Sequence, residues 1–300
     1  MTMRTTGLAL TCLASAALAL LGASAHAQTF PHGDGNGKLL LTGGVTSIDG
    51  AAGGGLTPWA VTGSYATDGE IGATAFITRA TTQDYGLTTY GAAVGYKDRV
   101  EVSLARQAFN ASVVVPDTTL KLDIVGLKVK LAGDAVLDSD RWMPQIAAGL
   151  EWKRVDPGAA VGGVLDSVSA KRSGVDLYIN ATKLFLAPGI LVNGTLRATK
   201  ANQNGLLGFG SADKNNYHLE PEVSVAYLLN KRVAIGAEYR AKPDNLAFAG
   251  AAFKEDAWKD LFIAWAPSKH LSITAAYVDL GNIVGHDHQT GGYLSAQLAY

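Results

Sequence analysis

Side-chain polarity alternates with a period of two along most of this chain. Leu219, Pro221, Val223, Val225, Tyr227 and Leu229 alternate with Glu220, Glu222, Ser224, Ala226 and Leu228. After a tight Asn230-Lys231 break, Val233, Ile235, Ala237 and Tyr239 alternate with Arg232, Ala234, Gly236, Glu238 and Arg240. A period of two belongs to strands whose two faces meet different surroundings, and the short break makes this pair a β-hairpin. Upstream, Trp142, Pro144, Ile146, Ala148, Leu150 and Trp152 oppose Met143, Gln145, Ala147, Gly149, Glu151 and Lys153 in the same way, with charge on one face only.

Between the two ends of the chain no apolar run is long enough for a membrane helix. The strands therefore predict an all-β fold, a single antiparallel transmembrane β-barrel. Further strands fall near Lys38 to Ile48, Val61 to Tyr65, Ile71 to Ile77, Tyr90 to Tyr96, Val100 to Ala108, Leu120 to Leu131, Val175 to Ala181, Ile190 to Ala198, Leu261 to Trp265, Leu271 to Tyr277 and Tyr293 to Tyr300. Fourteen strands result, or twelve if the glycine-rich Gly33 to Gly55 region folds inward instead of pairing. The phase slips at Gly126, which predicts a bulge there. Pro221 and Pro144 weigh against central strands, because proline cannot donate to a ladder.

An even strand number puts both termini at the periplasmic rim, and the connections alternate accordingly. Asp68-Gly69, Lys97-Asp98, Ala187-Pro188-Gly189, Asn230-Lys231 and Pro267-Ser268-Lys269 are short periplasmic turns, with Gly133 to Arg141 a longer one. Asp156 to Ser173, Ala201 to Asn216, Lys242 to Glu255 and Gly281 to Gly291 are long extracellular loops. Amphipathic aromatics favour the membrane interfaces. Tyr65, Tyr96, Trp142, Tyr227, Trp265 and Tyr300 are predicted for the periplasmic girdle, and Trp59, Trp152, Tyr239 and Tyr277 for the extracellular one. A soluble sandwich would carry more Lys and Glu on its outer face. This chain has 17% charged residues, where about 25% is usual, and 35 glycines in 300 residues.

The chain opens with Arg4, an uncharged run from Gly7 to Leu21, and Ala25-His26-Ala27, the layout of a secretory signal cleaved before Gln28. The predicted layout is a signal peptide over 1–27, a linker over 28–37 and a barrel over 38–300, placed in the outer membrane. Cys12 lies within the signal, so the mature chain has no thiol for a disulfide or a nucleophile. Of 25 Lys and Arg, removing Arg4 leaves 24 against 26 Asp and Glu, which argues against a nucleic-acid partner. The expected partners are outer-membrane lipid and the barrel-insertion machinery, the latter through the aromatic C-terminal strand Leu294, Ala296, Leu298, Tyr300.

Gly37-Lys38-Leu39-Leu40-Leu41-Thr42-Gly43-Gly44-Val45, then Gly53-Gly54-Gly55-Leu56-Thr57-Pro58-Trp59, then Asp98-Arg99-Val100-Glu101 with Ala105-Arg106-Gln107, resemble a proteobacterial family of exported proteins described only as a domain of unknown function. The resemblance covers the first third of the mature chain. It implies an outer-membrane-type barrel and brings no activity, substrate or catalytic residue.

Chemical constellations are sparse. His286-Asp287-His288 offers alternate ligands but no third, so no metal site is assigned. Gly33-Asp34-Gly35-Asn36-Gly37-Lys38 lacks phosphate-loop spacing and has Leu39 where a hydroxyl is needed. His218 and His270 have no evident nucleophile partner, and neither catalysis nor a cofactor is expected. The lumen remains. Glu101, Glu151, Lys153, Asp176, Arg197, Glu220, Glu222, Glu238, Arg240 and Asp260 are its expected charged lining, with Lys121 and Asp123. Such a mixed-charge bore suits a passive channel for small solutes, in which Glu220, Glu222, Glu238 and Arg240 set a weak cation preference that Glu220→Gln with Glu222→Gln largely removes, with little effect on folding. The alternative is a closed structural or surface-interaction barrel whose charges pair across the lumen. Less favoured are an outer-membrane hydrolase and uptake of hydrophobic compounds, which calls for an N-terminal plug longer than Gln28 to Gly37 unless the first strand joins it.

Overall fold

Residues 37–136 and 142–300 are described by the computed structural model of the chain, within one compact unit, Gly37–Tyr300. The signal peptide, its cleavage before Gln28, the linker up to residue 36 and part of the longest periplasmic connection lie outside the described residues.

Twelve antiparallel strands form a closed barrel in simple up-and-down order. They are β3 (Ile71–Thr82), β4 (Gly86–Tyr96), β5 (Val100–Asn110), β6 (Thr119–Ala132), β7 (Gln145–Asp156), β8 (Ser173–Phe185), β9 (Ile190–Thr199), β10 (His218–Asn230), β11 (Val233–Arg240), β12 (Trp258–Ser268), β13 (Leu271–Asp279) and β14 (Thr290–Ala299). β14 closes on β3, with Gly291 opposite Thr82 and Ala299 opposite Thr74. Tyr300 continues the seam by exchanging both backbone hydrogen bonds with Ala73, each of 2.8 Å.

The alternation has the polarity of a membrane barrel: apolar side chains are the exposed ones. On β10, Leu219, Val223, Val225 and Tyr227 face outward while Glu222, Ser224 and Ala226 are buried inside. Pro221 is accommodated because its carbonyl accepts from Ala241 N beyond the end of β11, so its missing N–H faces the end of that ladder. Pro144 falls just before β7. Tyr96, Trp142, Tyr227, Trp265, Tyr300, Tyr239 and Tyr277 are exposed on the outer surface, and Trp152 is partly so.

Fourteen barrel strands are not what forms. The predicted strands Lys38 to Ile48 and Val61 to Tyr65 are not in the wall: every residue from 41 to 64 is buried inside the bore, while Lys38, Leu40 and Tyr65 are half-buried and Leu39 is exposed. Between residues 41 and 64 the only strands are a short hairpin, β1 (Val45–Thr46) with β2 (Ala52–Gly53). Positive φ at Leu41 (66°), Gly44 (73°) and Gly50 (95°) breaks any extended run, and Thr42, Thr46, Ser47 and Asp49 leave no face fit for lipid. Glycine also lets this backbone touch the wall: a Cβ on Gly54 would collide with the Glu238 carboxylate. Trp59 and Tyr65 consequently leave the predicted girdles. Trp59 is buried in the bore, and the half-buried Tyr65 accepts from Leu41 N at 3.4 Å.

Gly126 carries no bulge. The β5–β6 register is unbroken past it, and β6 shifts against β7 between Lys130 and Ala132. The inward residues of β6 are Leu120, Leu122, Ile124, Gly126 and Lys128, so the phase is constant and only the polarity of the inner face changes. Lys121 and Asp123 therefore point outward, against the lumen assignment.

The change in polarity reflects layering inside the barrel. An upper apolar cluster under the extracellular loops includes Tyr85, Phe109, Leu120, Leu122, Leu206, Trp258 and Ile283. A lower one joins Leu41, Val45, Trp59, Leu191, Phe262 and Ala264. On β12 the inward side chains run from Trp258 through Asp260 to Phe262, so charge lies between the two clusters.

Candidate functional site

The mid-lumen charge layer is built from alternate positions of neighbouring strands, which a period of two necessarily aims inward. Glu151 and Lys153 come from β7, Asp176 from β8, Arg197 from β9, Glu222 from β10 and Arg240 from β11. The inner segment contributes Asp49, at the turn between β1 and β2. Its carboxylate lies 2.7 Å from Arg240, 3.5 Å from Lys153 and 4.0 Å from Arg197. Lys153 also pairs with Asp176 at 2.9 Å and Glu151 at 3.2 Å. Arg197 bridges Glu151 at 2.7 Å and Glu222 at 2.5 Å and lies over the Tyr178 ring. Glu222 further approaches Arg240 at 3.4 Å. Four acids and three bases thus share one layer shielded from outside solvent, in which unpaired charge would be costly.

The remaining wall charges hold the inner segment by its backbone. Glu238 accepts from Leu56 N at 2.7 Å, Thr57 N at 3.3 Å and the Thr57 hydroxyl at 2.6 Å. Glu101 accepts from Ala52 N at 3.0 Å and Gly63 N at 2.6 Å, and pairs with Lys128 at 3.1 Å. Lys128 donates to the carbonyls of Ala52 and Trp59. Asn180, Asn193 and Thr195 converge on the Pro58 carbonyl, and Gln145 donates to Ala60 O at 2.6 Å. A buried chain outside the sheet must satisfy its peptide groups elsewhere, and these polar side chains are where that happens.

From the opposite end an extracellular loop dips into the bore. Asn202–Gly205 forms a short 3₁₀ turn in which Gln203 and Asn204 adopt φ of 44° and 60°. Asn204 donates to Asp49 at 2.7 Å and accepts from Lys153 at 2.9 Å and Arg240 at 2.8 Å, so loop and inner segment meet at one side chain. Behind it, Gln203 N donates to both oxygens of Glu255, and Lys242 reaches Gln203 Oε1 at 2.8 Å and Glu255 at 3.4 Å. Burial, only partly offset by Lys242, pushes the Glu255 carboxyl up to about 7.

Of the predicted lining, Glu101, Glu151, Lys153, Asp176, Arg197, Glu222, Glu238, Arg240 and Asp260 are all buried inside, while Glu220 is half-exposed near the extracellular mouth. The network joins Glu151, Lys153, Asp176, Arg197, Glu222 and Arg240. Asp260 stands opposite Glu238 in register, and both its oxygens lack a hydrogen-bond partner among the described residues. Sequence reasoning missed Asp49, Asn204 and Lys128. Asp49 had a signal, being the lone charge between Leu39 and Thr67. His218 opens β10 at the extracellular rim and His270 sits in a periplasmic turn, so the two do not meet. His286 lies 3.2 Å from Asp84, and no group of three metal-ligating residues occurs among the described residues.

Apolar cavities remain above and below the charge layer, of about 30 Å³ against Tyr85, Phe109, Leu206, Trp258 and Ile283 and about 20 Å³ against Leu41, Trp59 and Phe262. Each has room for a water molecule or two.

Among solved structures the chain is similar to the KdgM porin, with 11% identity over 76% of this chain and 99% of that one and a TM-score of 0.47. It is also similar to Acinetobacter baumannii Omp33, at 10% identity over 77% and 98% with a TM-score of 0.40. Escherichia coli outer membrane phospholipase A gives 10% identity over 75% and 89% with a TM-score of 0.41. No property of those proteins is carried over at such distances. No curated protein gives a significant match to the sequence. Residues 42–297 match the family described as protein of unknown function (DUF3034), a span that takes in both the inner segment and nearly the whole wall, and the chain belongs to that family.

Proposed function

We propose that the protein is an outer-membrane channel for small solutes, exported with loss of residues 1–27, and closed in the present conformation by its own inner segment. The observation that carries this is how the closure is made. Residues 41–64 are a separate N-terminal piece of chain, bonded to the wall through side chains and not knitted into its ladders. Narrow barrels fill with the side chains of their own strands, whereas this bore is wide enough to enclose a hairpin and the Asn202–Gly205 turn. Displacing the segment about the Thr67–Glu70 turn breaks no barrel strand, and it would expose a bore lined by both signs of charge, suited to polar or ionic solutes. The first predicted strand does join the linker side of the chain as a plug. Uptake of hydrophobic compounds gains little from this, because the apolar cavities are too small for such cargo.

A second reading, a closed structural barrel, is favoured by the completeness of the pairing around Asp49, Lys153, Arg197 and Arg240. Planar-bilayer recordings of the full mature chain and of a chain lacking residues 37–65 separate the two. The channel reading expects rare openings from the full chain and steady conductance from the truncated one, once heat-modifiable migration shows that it folds. A folded truncated barrel that passes no current establishes the structural reading instead.

A further inference from the structure

We propose that the outward face of β3–β7 carries, at its extracellular edge, a docking surface for an acidic, phosphorylated lipid headgroup. The proposal rests on the placement in an outer membrane and is independent of conduction. Strand parity puts Arg79, Arg106, Lys121 and Arg154 on the outside of the barrel. They are neighbours across the sheet. Arg106 is paired in register with Asp123, and Asp123 with Arg154. Lys121 lies two residues along β6 from Asp123, the diagonal neighbour of Arg154. Arg79 stands opposite Thr88 on β4 and donates to its hydroxyl at 2.7 Å.

Their height fits a headgroup. Arg154 lies two residues beyond Trp152 toward the extracellular end of β7, and a tryptophan on the lipid-facing side marks the interface. Arginine and lysine beside it extend their polar ends toward phosphate while their stems lie along the barrel.

Charge is left over as well. The patch sets four bases, Arg79, Arg106, Lys121 and Arg154, against two acids: Asp123 is held by Arg106 through Nε and Nη2, and Asp156, opposite Lys121 in register, accepts from Gly158 N at 3.3 Å without an ion pair to Lys121. Arg154, Lys121 and Arg79 have no ion-pair partner among the described residues. Elsewhere around the extracellular half, the outward charged side chains on β8–β14 are Lys259 and Asp279, which are register partners of opposite sign. The strand-borne surplus is therefore on one wall, and on the opposite side Lys200, just beyond β9, lies over the Tyr217 ring. A guanidinium fork and an adjacent ammonium match the oxygens of a phosphate monoester or diester.

The test is native mass spectrometry of the refolded full chain in zwitterionic detergent, titrated with bisphosphorylated lipid A. The wild type should retain the lipid. The Lys121→Ala, Arg154→Ala double variant should bind at least tenfold more weakly, and Lys259→Ala should bind as wild type. Dephosphorylated lipid A should be lost from all three, and a large excess of inorganic phosphate should fail to displace the lipid. Heat-modifiable migration checks that each barrel is folded, and Arg154→Gln alone is read in the same way if the double variant is not. Equal retention by wild type and variant overturns the proposal, as does retention of the dephosphorylated lipid. Displacement by inorganic phosphate also overturns it, because it identifies a site for free anions.

Discussion

Replacing Asp49 by Asn removes the one charge that the inner segment contributes to the mid-lumen layer while conserving its shape. In the native layer the carboxylate faces Arg240 at 2.7 Å, with Lys153 and Arg197 farther off. Removing one member of a buried pair typically costs about 3–5 kcal/mol. Two features place this case at or below the low end. Glu151, Asp176 and Glu222 still match Lys153, Arg197 and Arg240 one for one, and the asparagine oxygen remains an acceptor for Arg240. A loss of about 2–3 kcal/mol, at ~1.4 kcal/mol per decade, raises the open fraction roughly 30- to 150-fold if opening separates Asp49 from the wall. Single-channel recording of Asp49→Asn against wild type measures this directly. Open probabilities within threefold of each other, in a variant that migrates as a folded barrel, would show that Asp49 does not hold the closed state. The Asp49→Asn, Arg240→Gln pair should then be non-additive, with a coupling of about 1–3 kcal/mol.

Deleting Leu298 to Tyr300 should abolish the heat-stable folded form on gels, because the last rungs of the closing seam, up to Tyr300 with Ala73, are lost. Glu220→Gln should shift reversal potentials of an opened barrel while leaving its melting temperature unchanged. Glu222→Gln should lower the melting temperature by several degrees, since Glu222 is fully buried and paired with Arg197, a contact that argues against both exchanges sparing folding. The Glu255 carboxyl is raised from 4.5 to about 7 by burial, so the described loop conformation binds this proton more tightly than a solvated one. Its contribution is full below about pH 4.5 and is lost as pH rises to 7. Protection factors at Gly205 to Gly210, the intrinsic base-catalysed rate at each pH divided by the exchange rate, should accordingly fall from pH 5 to pH 7.5, and Glu255→Gln should flatten that fall.

The wall was legible in the sequence because a membrane strand needs only local information. Glu151, Trp152 and Lys153 declare inside, outside and inside without reference to anything distant. The inner segment was not legible as a plug, because what decides its place lies far along the chain. Thr46 is held by Gln297 and Leu56 by Glu238, 251 and 182 residues away. Lys38 to Ile48 has the spacing of a strand, and only its glycines and its hydroxyl-rich second face argue otherwise. β6 misled for the converse reason: Leu120, Leu122 and Ile124 face inward beneath the loops, so apolar did not mean lipid-facing there. Parity placed the inward charges of β7 to β12, but misplaced Lys121 and Asp123 and passed over Lys128 on β6, and the partners Asp49 and Asn204 arrive from outside the sheet.

The hairpin enclosed by the barrel also constrains the order of assembly. Residues 41–64 precede every wall strand, yet they bond to Glu238 on β11 and Gln297 on β14, among the last strands to be made. Glu101 and Lys128 would be left facing a void if the β14–β3 seam zipped shut around an empty bore. The segment's contact with Gln297 can form only when β14 is in place, so its seating accompanies or follows closure of the seam at Tyr300 and Ala73, and the sheet's own ladders do not depend on it.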